Sequence, residues 1–201
     1  MSWDELGALI LMAVAGSFTP GPNTTLAAAI GANRGLRAAM PFVWAVPVGW
    51  MLLFLLTALG VGALLMAWPW LHGGLLAFGV GYMLWLAWRL AGSRALGSAD
   101  RSRLDVGFGQ GLLLQFANIK GWMLAISVVA GWVSGKPGEL SRVAVVMAVM
   151  FCAGFASNYC YAATGAMLRR WLAEGQRLLH FNRTMALALA LTALWMGWQG
   201  V

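Results

Sequence analysis

The sequence has little charge. Lys, Arg, Asp and Glu together make up 9% of its 201 residues, where a soluble domain carries roughly 25%. So few charges cannot cover a water-facing surface, which excludes an ordinary soluble domain. Acidic residues are the scarcest, six in all, and none falls in the middle of an apolar run. Cysteine is limited to Cys152 and Cys160. On one helix these lie roughly 12 Å apart along the axis, too far for a disulfide, so two buried thiols are expected. Histidine is limited to His72 and His180, which have no metal-ligand spacing. No nucleophile with a base and no metal cluster stands at membrane depth, so an enzyme is not expected. No cofactor is expected either. Gly107-Phe108-Gly109-Gln110-Gly111 lacks the preceding strand of a phosphate loop.

Apolar residues, by contrast, make up 61% of the chain, with 12 Trp and 26 Gly. Trp favours membrane interfaces, and Gly lets transmembrane helices approach closely. A crossing needs about 20 mostly apolar residues. Six such runs occur, over residues 6–32, 40–66, 71–90, 107–133, 143–168 and 184–198. Trp68-Pro69-Trp70 marks a short interfacial turn between the second and third. Residues 1–5 carry Asp4 and Glu5 and no basic residue. The first run is therefore expected to be a retained crossing rather than a cleaved signal.

The net charge of +7 does not indicate nucleic acid, because the basic residues sit in short gaps between runs rather than on one stripe. Arg34 and Arg37 occupy the first gap. Arg89, Arg94, Arg101 and Arg103 occupy the third, and Arg169, Arg170, Arg177 and Arg183 the fifth. The opposite side has only Lys136 and Arg142. By the positive-inside rule the odd gaps face the cytoplasm and both termini face outside. The expected fold is an all-α membrane protein of six transmembrane helices in one domain. Residues 1–92 and 107–201 form two inverted three-helix repeats, joined by a cytoplasmic loop over 93–106.

Each half opens with an interrupted run. Pro20 and Pro22 remove backbone donors and push Thr19 and Gly21 from helical geometry. The second half-helix should start near Asn23, with Thr24 and Thr25 in its first turn. Its positive dipole end suits a carboxylate; a kink that only shapes packing is the alternative. In the second half the interruption falls at Asn118-Ile119-Lys120-Gly121. Lys120 is the one charge deep in a run, where it costs about 3 kcal/mol on insertion scales. It either faces the bundle and clamps a substrate carboxylate, or snorkels to an interface. Gln115 and Asn118, three apart, share a helical face. In the fifth run Gly154, Ser157, Asn158, Tyr161 and Thr164 form a polar stripe, which either lines a solute path or hydrogen-bonds between helices. Paired interruptions at corresponding places in two halves point to a transporter binding site. A channel or lipid-handling protein would need a continuous polar lining, which these runs lack. A homodimer is compatible with so small a bundle, although no single feature indicates one.

Three motifs carry a resemblance over nearly the whole chain. Ser17-Phe18-Thr19-Pro20-Gly21-Pro22-Asn23, followed by Gly31-Ala32-Asn33-Arg34-Gly35-Leu36-Arg37, resembles the opening signature of the LysE/RhtB family of amino acid exporters. Gly81-Tyr82-Met83-Leu84-Trp85-Leu86-Ala87-Trp88-Arg89 resembles its third-span signature, and Gln115-Phe116-Ala117-Asn118-Ile119-Lys120 its span-four motif. The resemblance implies efflux of small amino acids or derivatives across the bacterial inner membrane, driven by protons. Many relatives have Asn-Pro-Lys where this chain has Asn118-Ile119-Lys120, so a milder second break is expected. Many also have an acidic residue in span two, where this chain has Pro47-Val48-Gly49-Trp50. The Asn-Ile-Lys form, with Ala156-Ser157-Asn158-Tyr159-Cys160, is similar to the cysteine/O-acetylserine efflux branch.

Overall fold

The computed structural model describes residues 1–92 and 106–199. Among these residues all regular structure is helical. Helices α1 (Trp3–Phe18) and α2 (Pro22–Arg34) flank the first break. They are followed by α3 (Leu36–Ala58), α4 (Val61–Ala67) and α5 (Pro69–Ala91). In the second half, α6 (Phe108–Ala117) and α7 (Ile119–Val128) flank the other break, and a π turn, Val129–Val133, extends α7. Helices α8 (Glu139–Leu172) and α9 (Arg177–Gln199) complete the chain. Apart from Val106, the expected loop over 93–106, with Arg94, Arg101 and Arg103, lies outside the described residues.

Helices α3, α5 and α8 are each long and apolar enough to cross a membrane, and the bent α6–α7 pair makes a fourth candidate. Many large apolar side chains on the outside, among them Leu11, Trp70, Trp88, Leu140 and Trp198, are exposed. On a water-soluble protein such coverage would be an aggregation liability; on a membrane protein it meets lipid.

Local chemistry sets the boundaries. Ser2 and Glu5 form a reciprocal capping box at the start of α1, satisfying two orphan amides. Pro22 and Pro69 stand in the first turn of α2 and α5, where a missing N–H costs nothing. The expected single run over 40–66 does not hold, because the helix stops at Leu59-Gly60. Gly60 takes a left-handed conformation, φ 97°, which a residue with a Cβ adopts only with strain. Cys152 and Cys160 are also not buried: both thiols lie on the outer face of α8.

The packing is reciprocal between the halves. The α1 and α2 segments lie along α8, and α6 and α7 lie along α3. Helix α3 also meets α8, and α5 meets α9. The α2–α8 contact is backbone to backbone. A Cβ added to Gly31 would stand 2.1 Å from the Ala162 carbonyl oxygen, and one added to Gly165 would stand 2.1 Å from that of Ala28. Two large apolar clusters result, with a smaller third around Ala32, Leu172 and Leu178. One gathers Ile30, Phe42, Met83 and Leu189. The other gathers Leu9, Leu53, Phe54, Trp122 and Val146.

Polar ties close the two ends. At one end, near the start of α1, buried Arg142 donates to the Glu5 carboxylate (3.1 Å) and to the Pro137 carbonyl (3.1 Å). Lys136 adds a second cation 3.6 Å from Glu5. The Ser2 amide and the Arg142 guanidinium hold the Glu5 carboxyl down to a pKa of about 2. At the other end the Asn33 and Asn182 amides pair reciprocally at 2.7 and 2.9 Å, tying α2 to α9.

Two outcomes follow for stability in detergent. Gly31→Ala forces α2 off α8 and lowers stability by about 1–3 kcal/mol, as overpacking does. Gly7→Ala, whose added Cβ meets nothing within 4 Å, does not lower the thermal midpoint; equal losses in the two variants would contradict the contact. Glu5→Gln lowers the midpoint at pH 7. A depressed carboxyl contributes fully above its ordinary value of 4.5 and loses that contribution as pH falls through about 2. The gap between wild type and Glu5→Gln therefore narrows across that window, and a gap that widens on acidification would refute the assignment.

Candidate substrate site

The site forms where the two broken helices meet. Helix α1 ends at Phe18, and Thr19 turns extended (φ −61°, ψ 127°). Backbone groups freed by the break need partners, and α8 supplies them. Ser157 Oγ donates to the Ser17 carbonyl at 2.7 Å, and the Tyr161 hydroxyl donates to that of Phe18 at 3.0 Å. On the far side of the break the Gly21 amide donates to Thr24 Oγ1 at 2.9 Å.

The second break forms without proline. Asn118 sits at φ −91°, ψ 97°, and the α6 and α7 axes diverge by 69°. The milder interruption expected from Ile119 is therefore not what the chain adopts. The Trp122 indole donates to the Phe116 carbonyl at 2.9 Å. This caps the α6 end and replaces part of what a proline would impose.

Asn23 and Gln115 join the breaks. Asn23 Nδ2 donates to Gln115 Oε1 at 3.0 Å, and Gln115 Nε2 returns a bond to Asn23 Oδ1 at 3.1 Å. Gln115 Nε2 also donates to the Gly111 carbonyl at 3.1 Å. Gly49 on α3 leaves room for this side chain, since a Cβ there would stand 2.7 Å from Gln115 Cγ.

Around this pair lies a cavity of about 70 Å³ at the junction of the two apolar clusters. In that measure a water needs about 10–15 Å³, so the space suits a small solute. Eight of the sequence-derived candidates line it: Gly21, Pro22, Asn23, Thr24, Gln115, Asn118, Lys120 and Asn158. Four do not. Pro20 is exposed at the break, Thr25 is half-buried outside the lining, and Ser157 and Tyr161 are engaged with the α1 carbonyls. Lys120 is half-buried, and its ammonium lies beside the first break, 3.8 Å from where a Gly21 Cβ would stand. It has no hydrogen-bond or ion-pair partner among the described residues, and no acidic side chain lines the cavity. The cavity walls from α3 and α8 include Pro47, Trp50, Met150 and Gly154. Sequence reasoning passed over Trp50 as one apolar residue among many, although a Trp at mid-run rather than at a run's end was a usable signal.

Three residues of the lining each hold a buried polar atom without a partner: Asn118 Oδ1, Asn158 Oδ1 and Trp50 Nε1. Asn158 Nδ2 donates to the Gly154 carbonyl at 2.8 Å, which fixes its amide with the oxygen as the unpartnered end. An unsatisfied buried group costs about 1–3 kcal/mol.

The chain is 29% identical over 175 residues to the cysteine/O-acetylserine efflux protein of Salmonella choleraesuis (strain SC-B67), covering 87% of this chain and 86% of that protein. It is 27% identical over 179 residues to the protein of the same name from Escherichia coli (strain K12), covering 89% and 90%. No solved structure matches. The family model described as LysE type translocator matches residues 14–200, and the chain belongs to that family.

Proposed function

We propose that this protein is a secondary transporter that exports a small neutral amino acid from the cytoplasm. Cysteine and O-acetylserine, named in its relatives, are the first candidates. One observation carries the reading: the lysine on the second break reaches the first break inside a cavity that contains no counter-charge. A lone cation at membrane depth costs several kcal/mol, and a substrate carboxylate offsets that cost. The α2 start adds its dipole and the amides of Asn23 and Thr24 to the same charge. Asn23 and Gln115 act as the wall that holds both half-helices in register.

The reciprocal packing of broken segments against α3 and α8 supports two inverted repeats, residues 1–92 and 107–201, making six crossings. The basic gaps support a cytoplasmic face near Arg34 and Arg169, with both termini outside, in a bacterial inner membrane. The proton gradient drives transport in this reading. Lys120 is the one titratable side chain lining the cavity, so coupling runs through it and not through a carboxylate.

Lys120→Ala abolishes the gain in resistance to external cysteine that overexpression confers, and returns cysteine in the medium to the level of cells without the protein. Immunoblots should show equal amounts of both forms, and an unchanged phenotype at equal amounts removes Lys120 from the mechanism. In inverted vesicles, labelled L-cysteine accumulates only while a pH gradient is present; accumulation that survives a protonophore overturns the coupling.

A further inference from the structure

The three unpartnered atoms, each carried by a residue of the cavity lining, do not ask for the same thing. Asn118 Oδ1 and Asn158 Oδ1 are acceptors, and Trp50 Nε1 is a donor. Among the described residues one other buried side-chain atom lacks a partner, Arg169 Nε, which does not line the cavity. The concentration at one place is thus a property of the cavity and not of the fold at large. The three side chains are almost fully buried, at 3% exposure for Asn118 and Asn158 and 8% for Trp50. They cannot satisfy themselves by turning to solvent. Asn158 cannot satisfy its oxygen by flipping either, because its Nδ2 is committed to the Gly154 carbonyl.

We infer that the cavity reads a zwitterion at both poles: Asn118 and Asn158 accept hydrogen bonds from the α-ammonium group, and the Trp50 indole joins Lys120 on the α-carboxylate. The inference rests on the proposed export function and adds the residues that recognise each pole. Two acceptors without protons of their own match an ammonium group, which has three N–H donors and no acceptor. An indole N–H and a lysine ammonium match a carboxylate, which only accepts. Sites built to hydrogen-bond a group reject analogues that lack it, because their own buried atoms are then left unpaired. The side chain of the solute faces the apolar part of the lining, so selectivity at the two poles is sharper than selectivity among small side chains.

The test uses the full-length purified chain in detergent and three probes of one scaffold: L-cysteine, cysteamine without the carboxylate, and 3-mercaptopropionate without the ammonium. Dissociation constants are measured by displacement of labelled L-cysteine. Wild type binds L-cysteine at least tenfold more tightly than either analogue. Equal binding of L-cysteine and 3-mercaptopropionate overturns the inference with no variant needed. Asn158→Leu weakens L-cysteine and cysteamine at least tenfold and leaves 3-mercaptopropionate unchanged, whereas Lys120→Ala weakens L-cysteine and 3-mercaptopropionate and leaves cysteamine unchanged. Equal losses for all three probes in Asn158→Leu would mark a structural role and sink the pole assignment. Export in cells would then still stand. If wild type binds no L-cysteine and cells export none, the transport reading itself fails.

Discussion

Two side-chain amides, Asn23 and Gln115, separated by 92 positions in the chain, hold the site together. Each gives the other a donor and an acceptor, so neither is left with an unmet group in a low-dielectric interior. Asn23 stands in the first turn of α2, and Gln115 in the last turn of α6. Their pairing therefore fixes one broken helix against the other at the level where each stops. Gly49 is part of the same constraint, because any side chain there would push Gln115 away. The placement of Lys120 beside Gly21 depends on this register.

A break in a helix at membrane depth is tolerable only if its loose backbone groups find partners. Here the partners differ between the breaks. At the first, Ser157 and Tyr161 reach across from α8, so residues that resembled solute contacts turn out to be the caps that make the break possible. At the second, Trp122 caps from within its own segment. The close α2–α8 approach at Gly31 and Gly165 brings the hydroxyls of α8 within reach of the end of α1. Packing of small residues and satisfaction of the break are thus one arrangement.

Much of the fold was legible in the residues. The apolar runs marked the long helices, and Pro20-Gly21-Pro22 marked the first break because proline chemistry is local. Lys120 stood out because a lone charge in an apolar run is costly wherever it points. What was not legible depended on tertiary contact. The sharp turn at Asn118 is accompanied by an indole six positions from the carbonyl it caps, a contact no local rule encodes. The stop at Gly60 was hidden inside an unbroken apolar stretch. The outward placement of Cys152 and Cys160 depends on which face of α8 meets its neighbours. The Trp50 indole counts as apolar by composition, and its open N–H is visible only when its surroundings are known.

Helix α8 has 34 residues and so is roughly 50 Å long, against a hydrocarbon core of about 30 Å. It is gripped near one end through Arg142 and pinned part-way along its length at Ala162 and Gly165. A stiff rod that outruns the slab around it must lean or protrude. A lean about the pinned point swings the two tips in opposite senses, like a seesaw. Any such lean moves Arg142 at one tip and Arg169 with Arg170 at the other in opposite directions.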